Sequence, residues 1–163
     1  MIYEYDFFDS NQLRQILSIF DAGKFVDGAR TGPKEKDVKD NTQQDDIELN
    51  KMTNQCVHKV LRQSEISDLH PLNKCSPCYM LKYEVGQHYN DHIDYWDMWG
   101  NRTDYTAVVM LNDDYEGGEF YLVDEKTNLS KGDIIIFPSN FMYPHKVEPV
   151  TKGTRYSYIS WIW

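Results

Sequence analysis

Long hydrophobic runs are missing from this chain of 163 residues. Among its best apolar stretches is Ile134-Ile135-Ile136-Phe137, far short of the ~18 residues of a spanning helix, so no membrane partner is expected. Basic excess is missing too: 17 Lys and Arg stand against 26 Asp and Glu, a formal net charge of −9. Nucleic-acid binding draws on phosphate neutralisation, so this balance weighs against a nucleic-acid partner. Cysteine is scarce, and the 3 present cannot all pair. Cys75-Ser76-Pro77-Cys78 lacks a second Cys or His pair that would complete a zinc site, and the thiols read as ordinary ones of a reducing compartment. The N-terminus, Met1-Ile2-Tyr3-Glu4-Tyr5-Asp6, is acidic where a signal peptide is basic, so a cytoplasmic location is the expectation. Internal repeats and low-complexity tracts are also absent.

What remains has globular proportions. Hydrophobic residues make up 40% and aromatics 14%, and the length suits one domain with one core, residues 1–163. Asp9 or Ser10 is placed to cap a first helix, since Leu13, Ile16, Leu17 and Phe20 recur at helical spacing and Gly23 ends the pattern. Residues 23–44 are polar and without sustained periodicity, a long loop and a candidate lid. Within it, Lys34 to Asp40 interleaves charges of both signs, which reads as a solvated loop. A second helix is expected over about 45–64, with Ile47, Met52, Val57, Val60 and Leu61 on its apolar side.

After Pro71 the texture changes to short β-rich runs. They are Cys78 to Val85, Tyr105 to Leu111, Glu119 to Val123, Asp133 to Phe137, Lys146 to Val150, and Arg155 to Trp163. Turn signals such as Asn112-Asp113-Asp114, Glu116-Gly117-Gly118 and Lys152-Gly153-Thr154 separate them. The expected fold is mainly β with N-terminal helices: a jelly-roll (double-stranded β-helix) core over 79–163, supported on one face by helices from 1–70.

Chemistry concentrates in that second half. Residues two apart on an extended chain share a face, so His92 and Asp94 can aim at one ion, and His145 supplies a third corner. Two imidazoles and one carboxylate on one side leave the opposite positions open, the arrangement of non-haem Fe(II) oxygenases. His58, His70 and His88 have no comparable partners. Arg155 begins Arg155-Tyr156-Ser157-Tyr158-Ile159-Ser160-Trp161, where alternation projects Arg155, Ser157 and Trp161 together. An inward guanidinium on a strand needs an anion, and its forked donors match a carboxylate. A small dicarboxylate held between Arg155 and the metal satisfies both.

These residues, in this order, resemble the catalytic domain of the Fe(II)- and 2-oxoglutarate-dependent dioxygenases, and most of all their prolyl 4-hydroxylase-like branch. The matching text runs from Tyr83-Glu84-Val85-Gly86 through His92-Ile93-Asp94, Leu111-Asn112-Asp113 and Glu116-Gly117-Gly118-Glu119. It continues through Gly132-Asp133-Ile134-Ile135-Ile136-Phe137-Pro138, His145-Lys146-Val147 and Val150-Thr151-Lys152-Gly153-Thr154-Arg155. The resemblance covers roughly 79–163, and more loosely the Asp27-Gly28 and Asn41-Thr42-Gln43-Gln44 region. It implies Fe(II) on His92, Asp94 and His145, with 2-oxoglutarate and dioxygen as cosubstrates and ascorbate as a candidate reductant. It implies that Arg155 binds the distal carboxylate of 2-oxoglutarate, with Tyr83 donating to it and Ser157 assisting. Trp161 falls where the branch keeps an aromatic near the metal. Retention of Asp94 implies hydroxylation rather than halogenation.

By the same resemblance the expected substrate is a prolyl residue in a peptide or protein. Tyr95, Trp96, Met98 and Trp99 follow Asp94 and are placed to form an aromatic rim for a peptide, or to pin their own loop. Hydroxylation of a free amino acid or small metabolite is the alternative within the enzyme class. A metal-binding jelly roll without turnover is the alternative outside it.

Overall fold

The computed structural model describes residues 3–6, 8–28, 35–44, 51, 58, 74–76, 79–95, 97–98 and 101–163. Strand β1 (Tyr3–Asp6) precedes helix α1 (Ser10–Ala22), and the short strands β2 (Val26–Asp27), β3 (Lys39–Asp40) and β4 (Thr42–Gln44) follow. Next come β5 (Tyr79–Tyr83), β6 (His88–His92), β7 (Asp97–Met98), β8 (Asn101–Arg102) and β9 (Tyr105–Met110). The chain continues with β10 (Glu116–Gly117), β11 (Phe120–Leu122), β12 (Glu125–Lys126) and β13 (Asp133–Pro138). It finishes with β14 (His145–Val147), β15 (Val150–Lys152) and β16 (Arg155–Ile162).

Helix α1 starts where its capping chemistry dictates. The Asp9 carboxylate accepts from the backbone N–H of Asn11 at 2.8 Å and of Gln12 at 2.9 Å. The Gln12 side chain accepts in return from the Asp9 N–H at 3.0 Å, completing a capping box. The helix ends at Ala22, one residue before Gly23. The expected second helix over 45–64 lies outside the described residues, apart from Lys51 and His58, both helical.

Antiparallel pairing builds a seven-stranded sheet in the order β1-β13-β9-β16-β5-β4-β2 and a five-stranded sheet in the order β12-β11-β14-β6-β3. Strand alternation then divides the core in two. Met80, Val109, Ile134, Ile136, Tyr158 and Ile162 point to one face of the larger sheet, where Leu13 and Ile16 of α1 cover them. Leu81, Val108, Ile135, Phe137 and Ile159 point to the other face and meet Tyr89, Phe120, Leu122 and Val147 of the smaller sheet. Strand β13 is buried on both faces, which is why its sequence reads as a continuous apolar run rather than an alternating one. Each such Ile contributes about 1.5–3 kcal/mol of transfer free energy.

The expected double-stranded β-helix is not what forms. Among the described residues the sheets are open, with edges at β1 and β2 in one and at β12 and β3 in the other, and they neither share a strand nor close into a barrel. Pro149 lies in the middle of the expected strand Lys146 to Val150 and cannot donate to a ladder, so the run breaks into β14 and β15. Strand β15 leaves the smaller sheet and pairs with β10 as a separate ladder, with a register shift between Glu116 and Gly117. Strands β7 and β8 likewise pair only with each other. Of the expected helical support, α1 covers the larger sheet.

The segment 23–44 departs from its reading as a loop. It contributes β2 and β4 to the larger sheet and β3 to the smaller one. Its residues 29–34 lie outside the described set. No helix among the described residues is long and apolar enough to cross a membrane.

Candidate active site

A cleft opens between the two sheets, lined by Lys39, Tyr83, Tyr89, His92, Asp94 and His145 together with Arg155, Ser157 and Trp161. Its smaller-sheet wall carries the histidines. Strands β6 and β14 pair with His92 directly opposite His145, so the two imidazoles sit side by side with centroids 4.1 Å apart. Asp94 lies just beyond the end of β6, 3% exposed. Ligand atoms of His92, Asp94 and His145 all lie within 4.8 Å of one another. The Nε2 atoms of His92 and His145 approach the Asp94 carboxylate at 3.8 and 3.4 Å.

The surroundings prepare this cluster for a cation. His92 Nδ1 donates to the Asn90 carbonyl at 2.7 Å, and His145 Nδ1 to the Tyr143 carbonyl at 3.2 Å. A carbonyl only accepts, so each Nδ1 carries a proton and each Nε2 is left facing the cluster. His145 Nε2 is buried and makes no hydrogen bond, an orphan acceptor that a metal would satisfy. Burial, reinforced by His145, lowers the His92 pKa to about 4, so the ring is neutral at neutral pH. Burial works to raise the Asp94 pKa, but the neighbouring imidazoles outweigh it and hold the carboxyl below the usual carboxylate range. Metal binding requires a neutral imidazole and an ionised carboxylate, the states these shifts favour for His92 and Asp94. Two nitrogens and one oxygen, with room on the cleft side, fit iron(II).

Asp94 is itself held. Thr106 Oγ1, on β9, donates to Asp94 Oδ2 at 3.0 Å and lies 2.7 Å from the Ser139 hydroxyl. The Thr103 hydroxyl donates to the Asp94 backbone carbonyl at 2.7 Å.

The larger sheet supplies the opposite wall. Arg155 and Tyr83 face each other across the β16–β5 ladder, with the guanidinium 5.2 Å from the phenol ring centre. Arg155 is 1% exposed. Its Nη1 donates to Ser157 Oγ at 2.8 Å and its Nη2 to Met110 Sδ at 3.3 Å, while Nε is buried without a partner. Among the described residues no carboxylate pairs with it. A buried cation answered by a hydroxyl and a thioether is costly unless an anion completes it. Gly118 makes the space: with φ at +65°, a Cβ there would come within 3.0 Å of Arg155 Cδ and 2.9 Å of Val150. Tyr83 is fully enclosed, and burial raises its pKa against the opposing pull of Arg155. Trp161 lines the same cleft, tilted against Tyr79 at 5.4 Å.

Residues 78–163 match the family described as the 2OG-Fe(II) oxygenase superfamily. The chain belongs to it. A PKHD-type hydroxylase of Idiomarina loihiensis is 31% identical over 161 residues, spanning 94% of this chain and 73% of that relative. Among solved structures, a Pseudomonas putida prolyl-4-hydroxylase superposes with a TM-score of 0.77 at 18% identity, covering 99% of this chain and 91% of that one. A Trichoplax adhaerens prolyl hydroxylase in complex with a hypoxia inducible factor oxygen degradation domain peptide fragment gives 0.78 at 20% identity, covering 99% and 83%. The chain is therefore an oxygenase of the prolyl-4-hydroxylase-like branch, using Fe(II), 2-oxoglutarate and dioxygen.

Several residues of this oxygenase's cleft were not singled out from sequence. Lys39 is the clearest: it was read as part of a solvated loop, yet it is 5% exposed and lines the cleft. Pairing of β3 with β6 sets Lys39 opposite Tyr89 and turns its side chain inward. Tyr89 in turn stacks on His92 with centroids 3.5 Å apart. Thr106, Ser139 and Met110 were likewise passed over; each looks like an ordinary strand or turn residue until the fold brings it to Asp94 or Arg155. Of the expected aromatic rim, Tyr95 is 48% exposed with Arg102 5.0 Å over its ring. Trp96 and Trp99 lie outside the described residues.

Proposed function

We propose that this oxygenase hydroxylates an aliphatic carbon of a prolyl residue in a peptide or protein, with His92, Asp94 and His145 as the iron ligands. The whole chain acts as one catalytic domain in this reading. The observation that carries it is the meeting, in one cleft, of the His–Asp–His cluster with a buried guanidinium that has no carboxylate partner among the described residues. Bound Fe(II) with 2-oxoglutarate and dioxygen supplies the oxidising chemistry, with succinate and carbon dioxide as by-products. The protein's part is to hold, orient and exclude water. His92 and His145 present fixed lone pairs, and Asp94 brings the single negative charge of the ligand set. Arg155 grips the distal carboxylate of 2-oxoglutarate, with Ser157 bracing the guanidinium and Tyr83 closing over it. Trp161 and Phe120 form dry walls.

The prolyl part of the reading is supported by kinship with hydroxylases and by exposed apolar side chains close in sequence to Asp94 and His145. Tyr95 and Ile93 beside Asp94, and Phe141 and Met142 in the turn before His145, are exposed at 48, 37, 79 and 63%. Large apolar side chains left in water suit contact with a peptide. The test is succinate release in the presence of iron, oxygen and 2-oxoglutarate, with and without a proline-rich peptide. Stimulation, together with a peptide mass gain of one oxygen atom, is the expected result. Turnover indifferent to every peptide but stimulated by a free amino acid would replace the prolyl reading.

A further inference from the structure

We propose that Lys39 is a second carboxylate anchor in the cleft, holding the metal-side carboxylate of 2-oxoglutarate while Arg155 holds the distal one. This rests on the 2-oxoglutarate site described above and adds a residue to it. Lys39 Nζ is set in place by donation to the Gly28 carbonyl at 2.8 Å and lies 4.9 Å from the centre of the Tyr89 ring. Tyr89 stacks on His92, so the ammonium belongs to the wall that carries the histidines rather than the wall that carries Arg155. Asp94, not Arg155, is the site residue whose charge Lys39 feels most. The approach is built in: the Gly28 N–H donates to the Asn41 carbonyl at 3.1 Å, and a Cβ on Gly28 would run into the Asn41 side-chain oxygen.

Charge supports the assignment. 2-Oxoglutarate carries two carboxylates, and the cleft lining offers two cationic side chains, Arg155 and Lys39, on opposite walls. A buried ammonium is costly to keep out of water, and burial lowers the Lys39 pKa to about 8 even with Asp94 and Asp27 opposing.

The experiment is calorimetric titration of N-oxalylglycine, a non-reacting diacid of the same length, into Zn(II)-loaded protein. Wild type, Lys39→Met, Lys39→Arg, Arg155→Met and the Lys39→Met/Arg155→Met double variant are compared. Lys39→Met is expected to weaken N-oxalylglycine binding about tenfold or more, with zinc affinity and melting temperature held or raised. Lys39→Arg recovers part of the loss. If the two cations grip opposite ends of one ligand, the losses multiply in the double variant; if both grip one end, they do not. N-Oxalylglycine binding by Lys39→Met within twofold of wild type overturns the proposal. A Lys39→Met protein that melts well below wild type also overturns it, marking Lys39 as a structural tie for Gly28. A readout independent of variants is the 15N resonance of the Lys39 ammonium in the wild type. It is expected to shift and exchange more slowly on adding N-oxalylglycine, and an unmoved resonance counts against the proposal. Wild-type protein that binds neither zinc nor N-oxalylglycine would instead remove the functional reading itself.

Discussion

At one end of the cleft the smaller sheet presents two imidazoles, each oriented by a carbonyl two residues earlier in its own chain. At the other end the larger sheet presents a permanent charge whose nearest polar companions are Ser157 and Met110. The first end holds the Asp94 carboxylate among imidazoles and the Thr106 hydroxyl, a set suited to a cation; the second holds a guanidinium with no carboxylate partner among the described residues, a set suited to an anion. The difference shows how one cleft divides its work. Local backbone geometry orders the metal ligands, whereas a long-range crossing of strands is needed to bury the guanidinium.

The strongest way to break this comparison is to remove the charge from each end in turn. Asp94→Ala is expected to abolish both metal binding and turnover. Arg155→Met should keep metal affinity, raise the 2-oxoglutarate KM on the order of 10²-fold, and leave the apoprotein no less stable. Metal titration and steady-state kinetics on both variants check this, and equal loss of metal by Arg155→Met would erase the distinction. A smaller effect is expected one contact further out. Thr106→Val removes the hydroxyl that donates to Asp94 Oδ2 and should weaken metal binding about 10–100-fold, while hardly moving 2-oxoglutarate KM once metal is saturating.

The mildest test uses pH. The folded apoprotein holds the His92 pKa near 4, below the ordinary value of 6.5, so the unfolded chain binds the extra proton first as pH falls. Stability therefore rises with pH across that interval. On this account the apoprotein should lose about 2 kcal/mol between pH 6.5 and 4.5, read by urea unfolding. His92→Gln should flatten that slope, and an unchanged slope would mean that another group sets it.

Much of the larger sheet was legible because its signals are local. Tyr79–Tyr83, Tyr105–Met110, Asp133–Pro138 and Arg155–Ile162 fall within a few residues of the apolar runs that announced them. The Asp9 cap and the helix ending before Gly23 were legible for the same reason. Strands β2, β3 and β4 were not: they are two or three residues long and polar, and exist because a neighbouring strand offers them an edge. The openness of the sheets was also hidden, since Pro149 breaks a run that composition alone presented as continuous.

By itself the sequence determined which chemistry was present: two histidines and an aspartate able to share an ion, and an arginine placed on a strand with Ser157 and Trp161. Residue type and a period of two carry that information, and neither depends on distant partners. Only the tertiary structure decided that the arginine would be buried without a carboxylate, that Thr106 would hold Asp94, and that Lys39 would turn into the cleft rather than toward water. Those outcomes depend on which edges pair, and pairing between segments some fifty residues apart is a property of the whole fold.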